Sequence, residues 1–189
     1  MTVRTFEYVV VHHAASYDAD RKRVVHQGVG TVRLYHVTPE PKGRGFKDIG
    51  YQRYIEVDGK IRVGRVDAVP GAHTEGFNDR SLGVCVSGHA DHEPFNAAQL
   101  RSLVAQCAAW CRLYGLGAER VIGHREAPRY GAKPVAKSCP GKLTDMDRIR
   151  ELVRAELEGS NRGVVVGDVA RCDADETPPT RRDGSPPKR

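Results

Sequence analysis

Three consecutive valines, Val9-Val10-Val11, run directly into His12-His13, and no other stretch constrains this chain as tightly. Side chains alternate between the two faces of a strand. Three apolar residues in a row therefore need cover on both faces, which places the strand in the middle of a sheet flanked by helices. The following "HHAAS" either delivers an imidazole to a site at the end of the sheet or simply marks, with two polar residues, where the strand surfaces.

The rest of the pattern agrees with a mixed α/β architecture. "GTVRLYHVTP" predicts a short helix stopped before Pro39, and "PEPKGRGFKD" predicts a loop. "GYQRYIEV" and "KIRVGR" flank Asp58-Gly59 and predict a hairpin. "SLGVCVSG" predicts a strand apolar on alternate residues, and "ERVIGHRE" a short strand running into a loop. Asn96 with Gln99 forms a capping-box pattern ahead of an apolar face of Leu100, Leu103, Val104, Cys107, Ala108 and Cys111. Thr144 with Asp147 opens a last helix, with Ile149, Leu152 and Val153 inward and Gly159 as its stop. The expected fold is a central mixed β-sheet flanked by helices, in one domain over residues 1–158. Residues 159–189 form a linker and tail holding four of the eleven prolines. "GVVVGDVA" within it reads equally as a strand packing back on the domain or as linker, and residues from about 172 onward are expected to be disordered.

Composition narrows the function classes. No window approaches the roughly eighteen uninterrupted apolar residues of a membrane span, so no stable membrane insertion is expected. The N-terminal apolar run is too short for a signal peptide, which points to synthesis and folding in the cytosol. Five cysteines, an odd number, are then expected to be thiols. The net charge of +6 favours an anionic partner such as an acidic envelope, but the charges are interspersed. The tail carries six basic residues against five acidic ones, so nucleic-acid binding is not expected.

Three candidates for metal ligation stand at element ends: His12 or His13, His124 after "ERVIG", and Cys139 in "AKSCPG". Two imidazoles and a thiolate suit zinc, with a fourth position left for water. Singly, each has a plainer explanation, as a hydrogen-bonded surface histidine or a buried thiol. Cys107 and Cys111 on one helical face, and Cys85 within a strand, read as core. "HADHE" at 89–93 reads as a solvated loop, and Trp110 and Tyr114 as packing residues rather than a sugar platform.

In order, "VVVHHAAS", "DIGYQRYIEVDGKI", "GAHTEGFNDRSLGVCVSG", "VIGHREAP" and "AKSCPG" resemble the type-2 N-acetylmuramoyl-L-alanine amidase superfamily across roughly residues 5–158. T7-type phage lysozymes and peptidoglycan recognition proteins belong to the same superfamily. The resemblance implies a zinc enzyme that cuts the amide between N-acetylmuramic acid and L-alanine in peptidoglycan. It implies His12, the first of the pair, His124 and Cys139 as zinc ligands. Tyr51 and Lys137 match catalytic residues, and His73 and Asn78 match residues of the substrate groove. The carboxylate base of some members has no clear counterpart here, so the general base is unassigned. Two departures stand out: Gln52 follows Gly50-Tyr51 where the family has histidine, and "YHVTPEPKGRGFKD" is long and proline-rich. The expected protein is a monomeric phage or prophage endolysin, held in the host cytoplasm until the membrane is breached. The alternative is a peptidoglycan-binding receptor without catalysis.

Overall fold

The computed structural model describes residues 4–134 and 138–159. Lys137, "GVVVGDVA" and the polar tail lie outside the described residues. Among the described residues, seven strands occur in chain order: β1 (Tyr8–His13), β2 (Tyr17–Asp18), β3 (Arg23–Val24), β4 (Arg53–Ile55), β5 (Ile61–Val63), β6 (Ser81–Val86) and β7 (Val121–Gly123). The helices are α1 (Val29–Val37), α2 (Ala97–Tyr114) and α3 (Met146–Leu157), with 3-10 turns at Ala118–Arg120 and His124–Tyr130. β2 and β3 pair antiparallel as a small ribbon beside the main sheet.

The main sheet has the order β5-β4-β6-β1-β7. β1 pairs parallel with both β6 and β7, β4 pairs parallel with β6, and only the β4–β5 hairpin is antiparallel. The mixed sheet flanked by helices is therefore present, with the valine strand inside it. Val9, Val11, Leu82, Val84, Val86, Ile55 and Val121 share one apolar cluster with Leu103, Cys107 and Trp110 of α2 and Ile149 and Val153 of α3. The opposite parity faces elsewhere: Tyr8, Val10 and Ile122 pack on Phe77 and Ala127, while Tyr54 and Cys85 pack on Val32 of α1 and on Ile49. Each valine of β1 is fully buried, worth about 1.5–3 kcal/mol per side chain.

Two elements differ from expectation. All six residues of β6 are buried, not alternate ones, because β6 is a parallel strand between β4 and β1 with cover on both faces. α3 is capped by Asp145, whose carboxylate accepts from the Arg148 N–H, rather than by Thr144. Thr144 is buried, and its hydroxyl donates to the Pro140 carbonyl at 2.9 Å, so it serves the Cys139 loop. In the hairpin, Gly59 takes φ +84°, which an L side chain rarely adopts, and closes the turn by donating to the Glu56 carbonyl.

Trp110 and Tyr114 are packing residues, as read. The indole N–H and the phenol hydroxyl both donate to Asp67, whose other carboxylate oxygen accepts from Arg53. At the other end of the sheet, the open edge of β7 is closed by side chains. The Gly123 N–H donates to Glu126, the Val121 carbonyl accepts from Arg150, and Glu126 and Arg150 pair at 3.0 Å.

The Asn96–Gln99 capping box at the start of α2 is reciprocal. Asn96→Ala removes the side-chain acceptor for the Gln99 N–H, and its expected cost is about 1 kcal/mol. Urea unfolding should show a lower midpoint at unchanged slope.

Candidate active site

The carboxyl ends of β1, β6 and β7 open into one cleft of about 690 Å³, the position at which α/β sheets usually bind ligands. Strand parity places the adjacent histidines. His12 shares its face with Tyr8 and Val10 and turns into the cleft, where its strand neighbour across the ladder is Cys85. His13 has the other parity, and its Nδ1 accepts from the Ala90 N–H at 2.9 Å. His124 follows β7 directly, and Cys139 arrives from the turn-rich stretch 138–145.

His12, His124 and Cys139 converge. Their donor atoms all lie within 4.8 Å of one another, the only such group of three among the described residues. Cys139 Sγ stands 3.5 Å from His12 Nδ1. A tetrahedral ion with metal–sulfur and metal–nitrogen bonds of about 2.3 and 2.0–2.1 Å holds such a pair about 3.5–3.6 Å apart, so the donor set fits zinc. Burial, with His124 and His73 nearby, lowers the His12 pKa well below the ordinary imidazole value. The ring is thus neutral near pH 7, the form that binds metal.

His73 lines the cleft and also backs His12. Its Nδ1 lies 3.1 Å from His12 Nε2 and 3.0 Å from the Thr74 hydroxyl. With His12 Nδ1 turned to the thiol, Nε2 carries the proton and donates, the usual outer partner of a ligating imidazole. A Cβ at Gly83 would fall 2.5 Å from the His73 ring, so only glycine in β6 admits it. Burial, then His124, lowers the His73 pKa to about 3. Asn78 acts on this wall indirectly. Its carboxamide oxygen accepts from the His73 and Thr74 N–H groups at 2.9 Å each, bracing the loop from behind, and it is not among the cleft-lining residues.

Tyr51 also lines the cleft, 5.2 Å from His12 between ring centroids. Burial, then Cys85 and Cys139, raises its pKa well above the ordinary phenol value, so it remains protonated and can donate. Gln52 is fully buried. It accepts from the Gly83 N–H and donates to the Val69 carbonyl, cross-linking β6 to the loop after β5.

Sequence reading gave no part in the site to His36, to Cys85, which it read as core and which is fully buried, or to Asp91, which it placed in a solvated loop. The His36 ring closes the α1 side of the cleft, its Nδ1 accepting from the Gly50 N–H at 3.0 Å. Asp91, inside "HADHE", accepts from the Ser138 hydroxyl and the Lys142 N–H on either side of Cys139, so that loop has a structural task. The parity of Cys85 within "LGVCV" is a signal that points it at His12. His36 and Asp91 had no local signal.

These imidazoles set a pH dependence. Burial lowers His36 and His13 from 6.5 to about 4, with Arg44 and His89 as the respective next causes. The folded chain then binds fewer protons than the unfolded chain between those values. Stability is complete above about pH 7 and is lost as pH falls from about 6.5 toward about 4. Urea midpoints of metal-free protein should decline through that window, less steeply in His36→Gln. A flat profile would contradict the buried neutral rings.

The comparisons with known proteins agree with this geometry. The family model described as N-acetylmuramoyl-L-alanine amidase matches residues 2–142. The endolysin of Escherichia phage T7 is 32% identical over 141 residues, covering 72% of this chain and 82% of that protein. The endolysin of Enterobacteria phage T3 is 30% identical over 164 residues, covering 84% and 93%. Among solved structures, the N-acetylmuramoyl-L-alanine amidase LysC from Clostridium intestinale superposes with a TM-score of 0.62 at 24% identity, covering 80% of this chain and 91% of that one.

Proposed function

This chain belongs to the N-acetylmuramoyl-L-alanine amidase family, and from that premise we propose that it is a zinc-dependent endolysin acting on the bond between N-acetylmuramic acid and L-alanine in peptidoglycan. The observation that carries the reading is the convergence of His12, His124 and Cys139 on the cleft floor beside Tyr51. Those three residues would hold the ion, with His73 and Thr74 fixing the His12 ring from behind. Zinc, when bound, polarises the scissile carbonyl and makes water acidic enough to attack near neutral pH.

The chain's own groups do the rest. The Tyr51 hydroxyl, kept protonated by burial, donates a hydrogen bond to the oxygen that gains charge in the tetrahedral transition state. Lys137, assigned on the family motif, adds a positive charge to the same oxygen. His73 presents one wall of the groove, and Asn78 holds that wall in place. The protein acts as a monomer. It is made in the host cytoplasm and reaches the wall after the membrane is breached, and its net charge of +6 draws it to an anionic envelope.

Digestion of purified sacculi tests the reading. New free L-alanine amino termini on intact glycan strands are expected, whereas new reducing sugar ends would mean a glycosidase. Binding to sacculi without any release would favour the receptor-like alternative. His12→Ala and Cys139→Ser should lose both zinc and turnover, and His13→Ala much less of either. Tyr51→Phe and Lys137→Ala should keep zinc while turnover drops roughly tenfold to a thousandfold.

A further inference from the structure

We propose that Arg125 is the positioning residue that fixes Cys139 relative to His124, so that one guanidinium sets the third donor of the metal site. The inference rests on reading His12, His124 and Cys139 as that site. Arg125 directly follows His124 at the start of the 3-10 turn 124–130. Its backbone N–H donates to the Cys139 carbonyl at 2.7 Å. Its side chain donates to three more carbonyls: Nη1 to Ser138 at 3.0 Å and Gly141 at 2.7 Å, and Nη2 to Thr144 at 2.8 Å. These four acceptors bracket Cys139 on both sides.

The bracket matters because stretch 138–145 holds no helix or strand. From the opposite side Asp91 accepts from Ser138 and Lys142, and the Ala90 carbonyl accepts from the Leu143 N–H. Those bonds tie the loop to residues after β6. Arg125 ties it through four hydrogen bonds to the turn carrying His124, and a lysine could not replace it. Three carbonyls in two directions need the planar, many-donor fork of a guanidinium, whereas an ammonium is a single point. Removing such an outer partner typically lowers metal affinity about 10–100-fold.

Two measurements on the full chain test this in Arg125→Ala and Arg125→Lys. The first is zinc affinity by competition with a chromophoric chelator. The second is the rate at which iodoacetamide alkylates Cys139 in metal-free protein, followed by peptide mass spectrometry. Zinc should bind about 10–100-fold more weakly in Arg125→Ala. The Cys139 thiol, buried in the wild type, should alkylate faster in both variants. Wild-type affinity and alkylation rate in folded Arg125→Ala would overturn the proposal. If that variant does not fold, Arg125→Lys decides, since it keeps the charge and the backbone N–H; an unchanged alkylation rate there is equally fatal. A wild-type chain that binds no zinc would defeat the metal reading, yet the alkylation comparison would still judge the bracket.

Discussion

Along β1, Val9 and Val11 are taken up by the cluster under α2 and α3, which leaves Tyr8, Val10 and His12 for the opposite face. Parallel pairing on both sides then fixes His12 against Cys85 of β6 and ends β7 one residue short of His124. A slip of one residue would exchange the two histidines, pointing His13 at the thiol and His12 at the helices. The apolar demand of the valines prevents it. The imidazole's direction is thus held by hydrophobic burial on the far side of the sheet.

Around that fixed ring the site is assembled from loops, each held by side chains reaching backbone. Asn78 braces the His73 loop, Asp91 and Arg125 grip the Cys139 loop from opposite sides, and Gln52 staples β6 to the loop after β5. These bonds from side chains to backbone hold the loops where no helix or strand would. The same burial keeps the imidazoles neutral and the Tyr51 hydroxyl protonated, so donor chemistry and rigidity share one cause.

Much of this was legible in the residues. The central strand, the Asp58-Gly59 hairpin and the Asn96 cap each depend on neighbours within a few positions, so pattern and turn chemistry suffice. The candidate metal donors were legible through motif resemblance, since His12 lies more than a hundred positions from both His124 and Cys139 and no local pattern links them. Full burial of β6 was missed because "SLGVCV" contains serine and glycine, and cover on both faces is a property of topology. Arg125 and Asp91 look like ordinary surface charges until chain reversal brings carbonyls and amides of a distant loop to them. Thr144 passed for a cap because its task, a bond to Pro140, is equally non-local.

The closed edge of β7 has a consequence for the molecule in bulk. An exposed edge strand is a template on which copies of a protein stack into aggregates. Here the edge amide of Gly123 and the edge carbonyl of Val121 are already engaged by Glu126 and Arg150. Another copy therefore finds these groups at this end of the sheet already taken, while β5 remains the sheet's other edge. Because Glu126 belongs to the turn that begins at His124, the groups that blunt this edge are built from the same turn as one residue of the candidate site.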